Sequence, residues 1–114
     1  MVEPVEELRA RLTDDFGVRC TPVIDAATLA CEVLVLAVKP QSMDGVLPDL
    51  RRFAGKGAVF LSIAAGKPIR YFAGHLGASA KIVRAMPNTP AAVRQGITVA
   101  CAAKGVSAAE KKRC

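Results

Sequence analysis

The chain has 114 residues, 52% of them apolar, and carries 16 basic against 10 acidic side chains for a net charge of +6. That length suits one domain or a piece of one, since domains commonly run to about 100–150 residues, and the apolar share excludes a disordered chain. The positive charge invites a nucleic-acid partner, but only Lys111-Lys112-Arg113 forms a basic block and aromatics to stack on bases are scarce at 4%; a solvated surface or a site for an anionic small molecule is expected instead.

Pro4 to Phe16 reads as a helix: Pro4 suits a first helical position, Glu3, Glu6 and Glu7 favour the positive end of the dipole, and Gly17 supplies the stop. Val5, Leu8 and Leu12 recur on one face. Val18–Cys20 is a short strand candidate, and Pro22–Ala30 a brief helix. Glu32–Val38 is the clearest strand, β-branched and continuously apolar until Lys39-Pro40. A helix over about Ser42–Phe53 should turn Met43, Val46, Leu47 and Leu50 inward, with a kink or break at Pro48. Ala58–Ile63 is a further buried strand, Ile69–Leu76 a helix between Pro68 and Gly77, Lys81–Met86 a strand, Ile97–Cys101 the last strand, and Ser107 the start of a final helix.

Strands alternating with helices predict an α/β fold, a mostly parallel sheet flanked by helices. With Trp absent, the core must rest on Val, Leu, Ile and Ala. The longest apolar run, Val33–Val38, is far shorter than the roughly 20 residues that cross a bilayer, and the first residues lack the basic start and apolar stretch of a secretory signal; no membrane association is expected, and the chain reads as cytoplasmic. Cys20, Cys31, Cys101 and Cys114 stand at wide spacings without a C-x-x-C pair, and His75 is the one histidine. No metal site is expected, and reduced, mostly buried thiols are.

Right-handed crossovers place the carboxyl ends of parallel strands on one edge, where ligands bind in such folds. Three predicted strands end there unusually. In A-V-K-P, Ala37 allows close approach, Lys39 is a cation and Pro40 turns the chain away. In S-I-A-A-G, Ala64, Ala65 and Gly66 leave main-chain amides uncovered. In A-M-P-N-T-P, Pro87 and Pro90 hold Met86 and Thr89 extended and present Asn88 with little ordering cost. Singly, each has a plain reading as a strand stop, tight helix–sheet packing or a rigid turn. Together on one edge they point to a cofactor crevice.

In this order and spacing, L-A-V-K-P, S-I-A-A-G and R-A-M-P-N-T-P-A-x-V-x-x-G resemble pyrroline-5-carboxylate reductase over nearly the whole chain. The resemblance implies a truncated Rossmann-like doubly wound domain over 1–114, part of an enzyme that reduces the imine 1-pyrroline-5-carboxylate to proline with NADPH or NADH. It places Ala37, Val38, Lys39 and Pro40 against the dinucleotide, Ala64, Ala65 and Gly66 beside the nicotinamide ribose, and Pro87, Asn88, Thr89 and Pro90 as the floor near hydride transfer. It implies no catalytic acid or nucleophile in this chain, the chemistry being largely the cofactor's. The helical domain that completes the imine pocket and joins subunits into a homo-oligomer would lie outside it.

The departures are as specific as the match. No G-x-G-x-x-G occurs, Ile24 followed by Asp25 stands where the family often has Asn, and the resemblance implies that the first strand is missing. The strand at Glu32–Val38 would then keep an unpaired edge, so a marginally stable or association-prone chain, inactive alone, is expected. Glu3 is a candidate acceptor for the ribose 2′-OH, which would favour NADH; it serves equally as a solvated helix start. Competing readings are another Rossmann-type dehydrogenase and a non-catalytic nucleotide-binding or interaction module or decayed fragment.

Overall fold

Apolar, β-branched runs dictate the sheet. V-L-V-L, V-F-L-S and the run from Lys81 line up as β1 (Val33–Leu36), β2 (Val59–Ser62) and β3 (Lys81–Pro87), all parallel. The fourth strand, β4 (Thr98–Ala102), pairs antiparallel with β3, and the order is β1-β2-β3-β4. The turn of direction has a physical reason: a parallel return needs a crossover of a dozen or more residues, and the segment between Pro87 and Thr98 is too short. The sheet is therefore mostly parallel, as expected, with β4 entering at the edge where β3 leaves.

The structure, a computed structural model, describes residues 1–25 and 30–114. They fall into two compact units, Met1–Ala30 and Cys31–Cys114. In the first unit, α1 (Glu6–Phe16) ends at Gly17, which takes the left-handed conformation (φ 63°) as its C-cap. The helix begins two residues after Pro4 because Glu3 accepts the Val5 amide through Oε1 at 2.9 Å while Arg9 donates to the Glu3 and Pro4 carbonyls. None of its residues is buried. The strand expected at Val18–Cys20 is reduced to one parallel bridge, Val2 with Thr21. Of the brief helix expected over Pro22–Ala30, residues 22–25 are not helical, and residues 26–29 lie outside the described residues.

The second unit holds the sheet and its cover. Val59 and Val83 face one side, packed with Val106, Leu61, Ala102 and Ala103. Phe60, Ser62 and Ile82 alternate onto the other side and are fully buried too. That side is left to α2 (Met43–Leu50) and α3 (Ile69–Leu76), which pack against each other and bury Met43, Leu47, Leu50, Phe72 and Leu76. Helical cover on the Phe60 and Ile82 face suits its buried apolar side chains, while Val35 on the other face stays 54% exposed. Pro48 does not break α2. The helix passes over it and tightens into a 3-10 turn at Arg51–Phe53. Close to the C-terminal end of a short helix, the amide that proline lacks costs one bond rather than a run of them.

The last helix, α4 (Ala108–Arg113), is fixed by Ser107 and Glu110. The Ser107 hydroxyl accepts the Glu110 amide, and the Glu110 carboxylate accepts the Ser107 amide at 2.8 Å, a complete capping box. The same carboxylate pairs with Lys81 of β3. The Lys81 ammonium, with the Ser107 donors, lowers the Glu110 pKa from 4.5 to about 2. A carboxyl group depressed on folding stabilises the folded state above its ordinary value, and that contribution is lost as pH falls from about 4.5 toward 2. Acid titration of the thermal midpoint should therefore show a fall in this window that is blunted in Glu110→Gln. Parallel curves for the two proteins would show that the pair contributes nothing.

Candidate functional site

The parallel register brings Leu36, Ser62 and Arg84 into one row across β1, β2 and β3, so the segments 37–40, 63–68 and 88–97 all leave from the same sheet edge. The three strand ends therefore lie on one edge of the sheet, with β3 running on to Pro87. In the first segment, Lys39 is extended and exposed, and Pro40 opens a 3-10 turn closed by the Ser42 amide on the Lys39 carbonyl at 2.9 Å. Ala37 is exposed and Val38 half-buried. The cation stands at the mouth of a strand with nothing bulky beside it in sequence.

The second segment is built around Ala64, which is 4% exposed between exposed neighbours. Its amide donates to the buried Ser62 Oγ at 3.2 Å, and its carbonyl accepts from Arg84 Nη2 at 3.3 Å. Gly66 follows with φ 72°, a conformation that a side chain would strain. Ala65 and Gly66 consequently offer main chain to solvent from a turn whose base is gripped on both sides.

The third segment explains the two prolines. Asn88 is extended (φ −107°, ψ 165°) and its Oδ1 accepts the Ile97 amide at 2.9 Å, closing the segment on itself. Between them Thr89–Val93 form a 3-10 helix with Pro90 in its first turn, so Thr89 is helical rather than extended as expected, and Arg94 takes the left-handed conformation (φ 59°). The Gln95 amide bonds to the Pro90 carbonyl at 3.0 Å. Pro87, Asn88, Thr89 and Pro90 are all exposed. Part of the Asn88 amide group is therefore spent on bracing its own loop, and the stiffness comes from that brace as much as from the prolines.

The helices after the first two segments are tied together. Tyr71 of α3 donates its hydroxyl to Asp44 of α2, and His75 Nε2 lies 3.5 Å from the same carboxylate. Burial, then the hydrogen bond to Asp44, raises the Tyr71 pKa to about 12, and that hydrogen bond is the main cause lowering Asp44. Lys67 sits over the Tyr71 ring with Nζ 4.1 Å from its centre. Glu3 belongs to the first unit, where its carboxylate accepts the Val5 amide just ahead of α1. Among the described residues, no group of three or more His, Cys, Asp or Glu could hold a metal ion, and no helix is long and apolar enough to cross a membrane.

Sequence reasoning missed Ser62, Arg84 and the Asp44–Tyr71 tie. A serine closing an apolar strand, and an arginine three residues before Pro87 on a buried strand, were the available signals. An open cavity of about 270 Å³ follows the Leu61 and Val83 face of the sheet, lined also by Ala85, Thr98, Ala100 and Lys111; none of residues 37–40, 64–66 or 87–90 lines it.

A mostly parallel sheet flanked by helices, with connecting loops gathered at the carboxyl edge of its parallel strands, defines a Rossmann-like domain. The sequence pattern of the family described as NADP oxidoreductase, coenzyme F420-dependent, matches residues 1–66. The chain belongs to that family. It is 37% identical to pyrroline-5-carboxylate reductase of Pseudomonas aeruginosa over 108 residues, covering 95% of this chain and 40% of that protein. The structure of a pyrroline-5-carboxylate reductase from Coxiella burnetii superposes with a TM-score of 0.91 at 30% identity, covering 98% of this chain and 42% of the other. The Plasmodium falciparum pyrroline carboxylate reductase, crystallised with NADP bound, gives a TM-score of 0.67 at 34% identity over 73% of this chain and 31% of its own. The chain thus spans about two fifths of the length of the curated relative and of the Coxiella structure.

Proposed function

We propose that residues 1–114 are part of the dinucleotide-binding domain of a pyrroline-5-carboxylate reductase and that the carboxyl edge of the sheet receives NADPH or NADH. The observation that carries this reading is the shared row Leu36, Ser62, Arg84, from which all three candidate segments depart. The likeness to reductases at 30–37% identity supports it.

In this reading Lys39 offers charge to the dinucleotide, with Ala37 and Val38 leaving room and Pro40 turning the chain clear. Ala64, Ala65 and Gly66 form a main-chain ledge for the nicotinamide ribose. Pro87, Asn88, Thr89 and Pro90 form a stiff floor beside the ring. The bound cofactor supplies the hydride for reduction of the substrate C=N bond. This chain supplies position, because transfer demands a short and fixed donor–acceptor geometry. Nothing in the reading needs an acid, base or metal from these residues. The imine site and a homo-oligomer interface are assigned to the remainder of the full-length protein, and the compartment to the cytoplasm, which agrees with the free thiols of Cys20, Cys101 and Cys114.

Titration of this chain with NADPH and with NADH, followed by amide chemical shifts, tests the assignment. Perturbations should cluster at 37–40, 64–66 and 87–90, with a dissociation constant on the order of 1 mM, equivalent to about −4 kcal/mol. Shifts confined to α1, or none at several times that concentration, would overturn it. A preference for NADH that Glu3→Ser leaves unchanged would leave Glu3 as the acceptor of the Val5 amide alone.

A further inference from the structure

Ala64 is the fixed point of the proposed ledge, and it is held from two strands. Ser62, at the end of β2, takes its amide; Arg84, the cross-strand partner of Ser62 on β3, takes its carbonyl. The two bonds grip the residue on both of its peptide groups, while Ala65 and Gly66 beyond it are exposed. Arg84 does this at a cost. Its Nε is buried and has no hydrogen-bond partner among the described residues, although most buried polar groups are paired and an unpaired donor works against folding. A side chain chosen for stability alone would be apolar here, as Ile82 is two residues earlier on the same face.

From this we infer that Arg84 is a positioning residue: its guanidinium sets the height and tilt of the 64–66 ledge through the Ala64 carbonyl, and so governs how closely the nicotinamide ribose approaches the main chain. The inference rests on the cofactor site proposed above for what the ledge binds, but not for the clamp itself. Arginine is suited to the task because its planar fork holds direction as well as charge, whereas lysine offers a compact, rotating ammonium. Met86 and Pro87 continue the same strand into the floor loop, so one strand carries both the clamp and the floor.

The test compares the chain with its Arg84→Met and Arg84→Lys variants. Arg84→Met keeps a long stem and removes the unpaired donor, so its thermal midpoint should equal or exceed that of the parent. Amide hydrogen exchange at Ala64, whose N–H donates to Ser62 Oγ, should nevertheless quicken about tenfold, with β2 and β3 unchanged, and NADH affinity should fall about tenfold. Arg84→Lys should recover part of the exchange protection and part of the affinity. Exchange at Ala64 that stays at the parent rate in Arg84→Met would overturn the inference. So would a lowered midpoint with protection lost evenly along both strands, the mark of an ordinary packing residue. If the parent chain binds no NADH while exchange still responds selectively, the cofactor reading fails and the clamp stands.

Discussion

Phe60→Ala should leave the chain largely unfolded at room temperature. Phe60 is fully buried in β2, between Leu34 of β1 and Ile82 of β3 in the sheet register. Truncating a buried phenylalanine costs about 3–5 kcal/mol, part in lost transfer and part in the cavity left behind. Domains of this size have only about 5–15 kcal/mol of stability in total. An exposed apolar edge strand leaves little margin: β1 ends the sheet on one side, and Val35 in its middle is 54% exposed. The measurement is urea unfolding followed by circular dichroism, with Phe60→Leu as the volume-sparing control, expected to lose about 1.5 kcal/mol or less. A midpoint for Phe60→Ala within error of the control would show that the β2 environment relaxes around the gap. The effect would reach the candidate site as well, because β2 ends in the Ser62 that holds Ala64.

The second large effect is expected at Gly96, and it is local. A Cβ built there would meet the Ala91 Cα and Cβ at 2.7 Å and its amide nitrogen at 2.8 Å. Those are backbone atoms and a short side chain, with no flexible end to give way, so the segment itself must move. Overpacking of this kind typically costs about 1–3 kcal/mol. Because residues 87–97 are exposed, the cost should be met by opening the loop rather than by unfolding the domain. In Gly96→Ala the Ile97 amide should lose its exchange protection as its bond to Asn88 Oδ1 breaks, while the global unfolding midpoint moves little. Asn88→Ala should give the same opening by removing the acceptor. NADPH-induced shifts at 87–90 should vanish in both variants. Retention of the Ile97 protection in Gly96→Ala would mean that the 3-10 turn at Thr89–Val93 absorbs the methyl group.

The elements that proved easiest to read were those marked at both ends by residues with a backbone reason to be there. Pro68 and Gly77 bracket Ile69–Leu76, and the helix fills that interval. Ser107 with Glu110 announces α4 through reciprocal hydrogen bonds that are local in sequence. The three candidate segments stand out in the sequence for the same cause: each is a short run of residues with restricted or unusually free backbones at the end of an apolar strand. What escaped was nonlocal. Val18–Cys20 has the composition of a strand, but strand formation needs a partner, and only Thr21 finds one, at Val2. The reversal of β4 depends on the length and internal bonding of the 88–97 segment rather than on the letters of the strand. Pro48 misled because its effect depends on how close it lies to the helix end. The pairing of Ser62 and Arg84, twenty-two positions apart, exists only once β2 and β3 are in register.

That register has a consequence for how the sequence can vary. The row Leu36, Ser62, Arg84, Cys101 crosses all four strands, so the shape of one small turn doubles as a vernier for the alignment of the whole sheet. A slip of one residue between β2 and β3 would turn Arg84 to the opposite face, and a slip of two would carry it past Ala64. Substitutions that improve packing by sliding these strands should therefore cost the grip on Ala64.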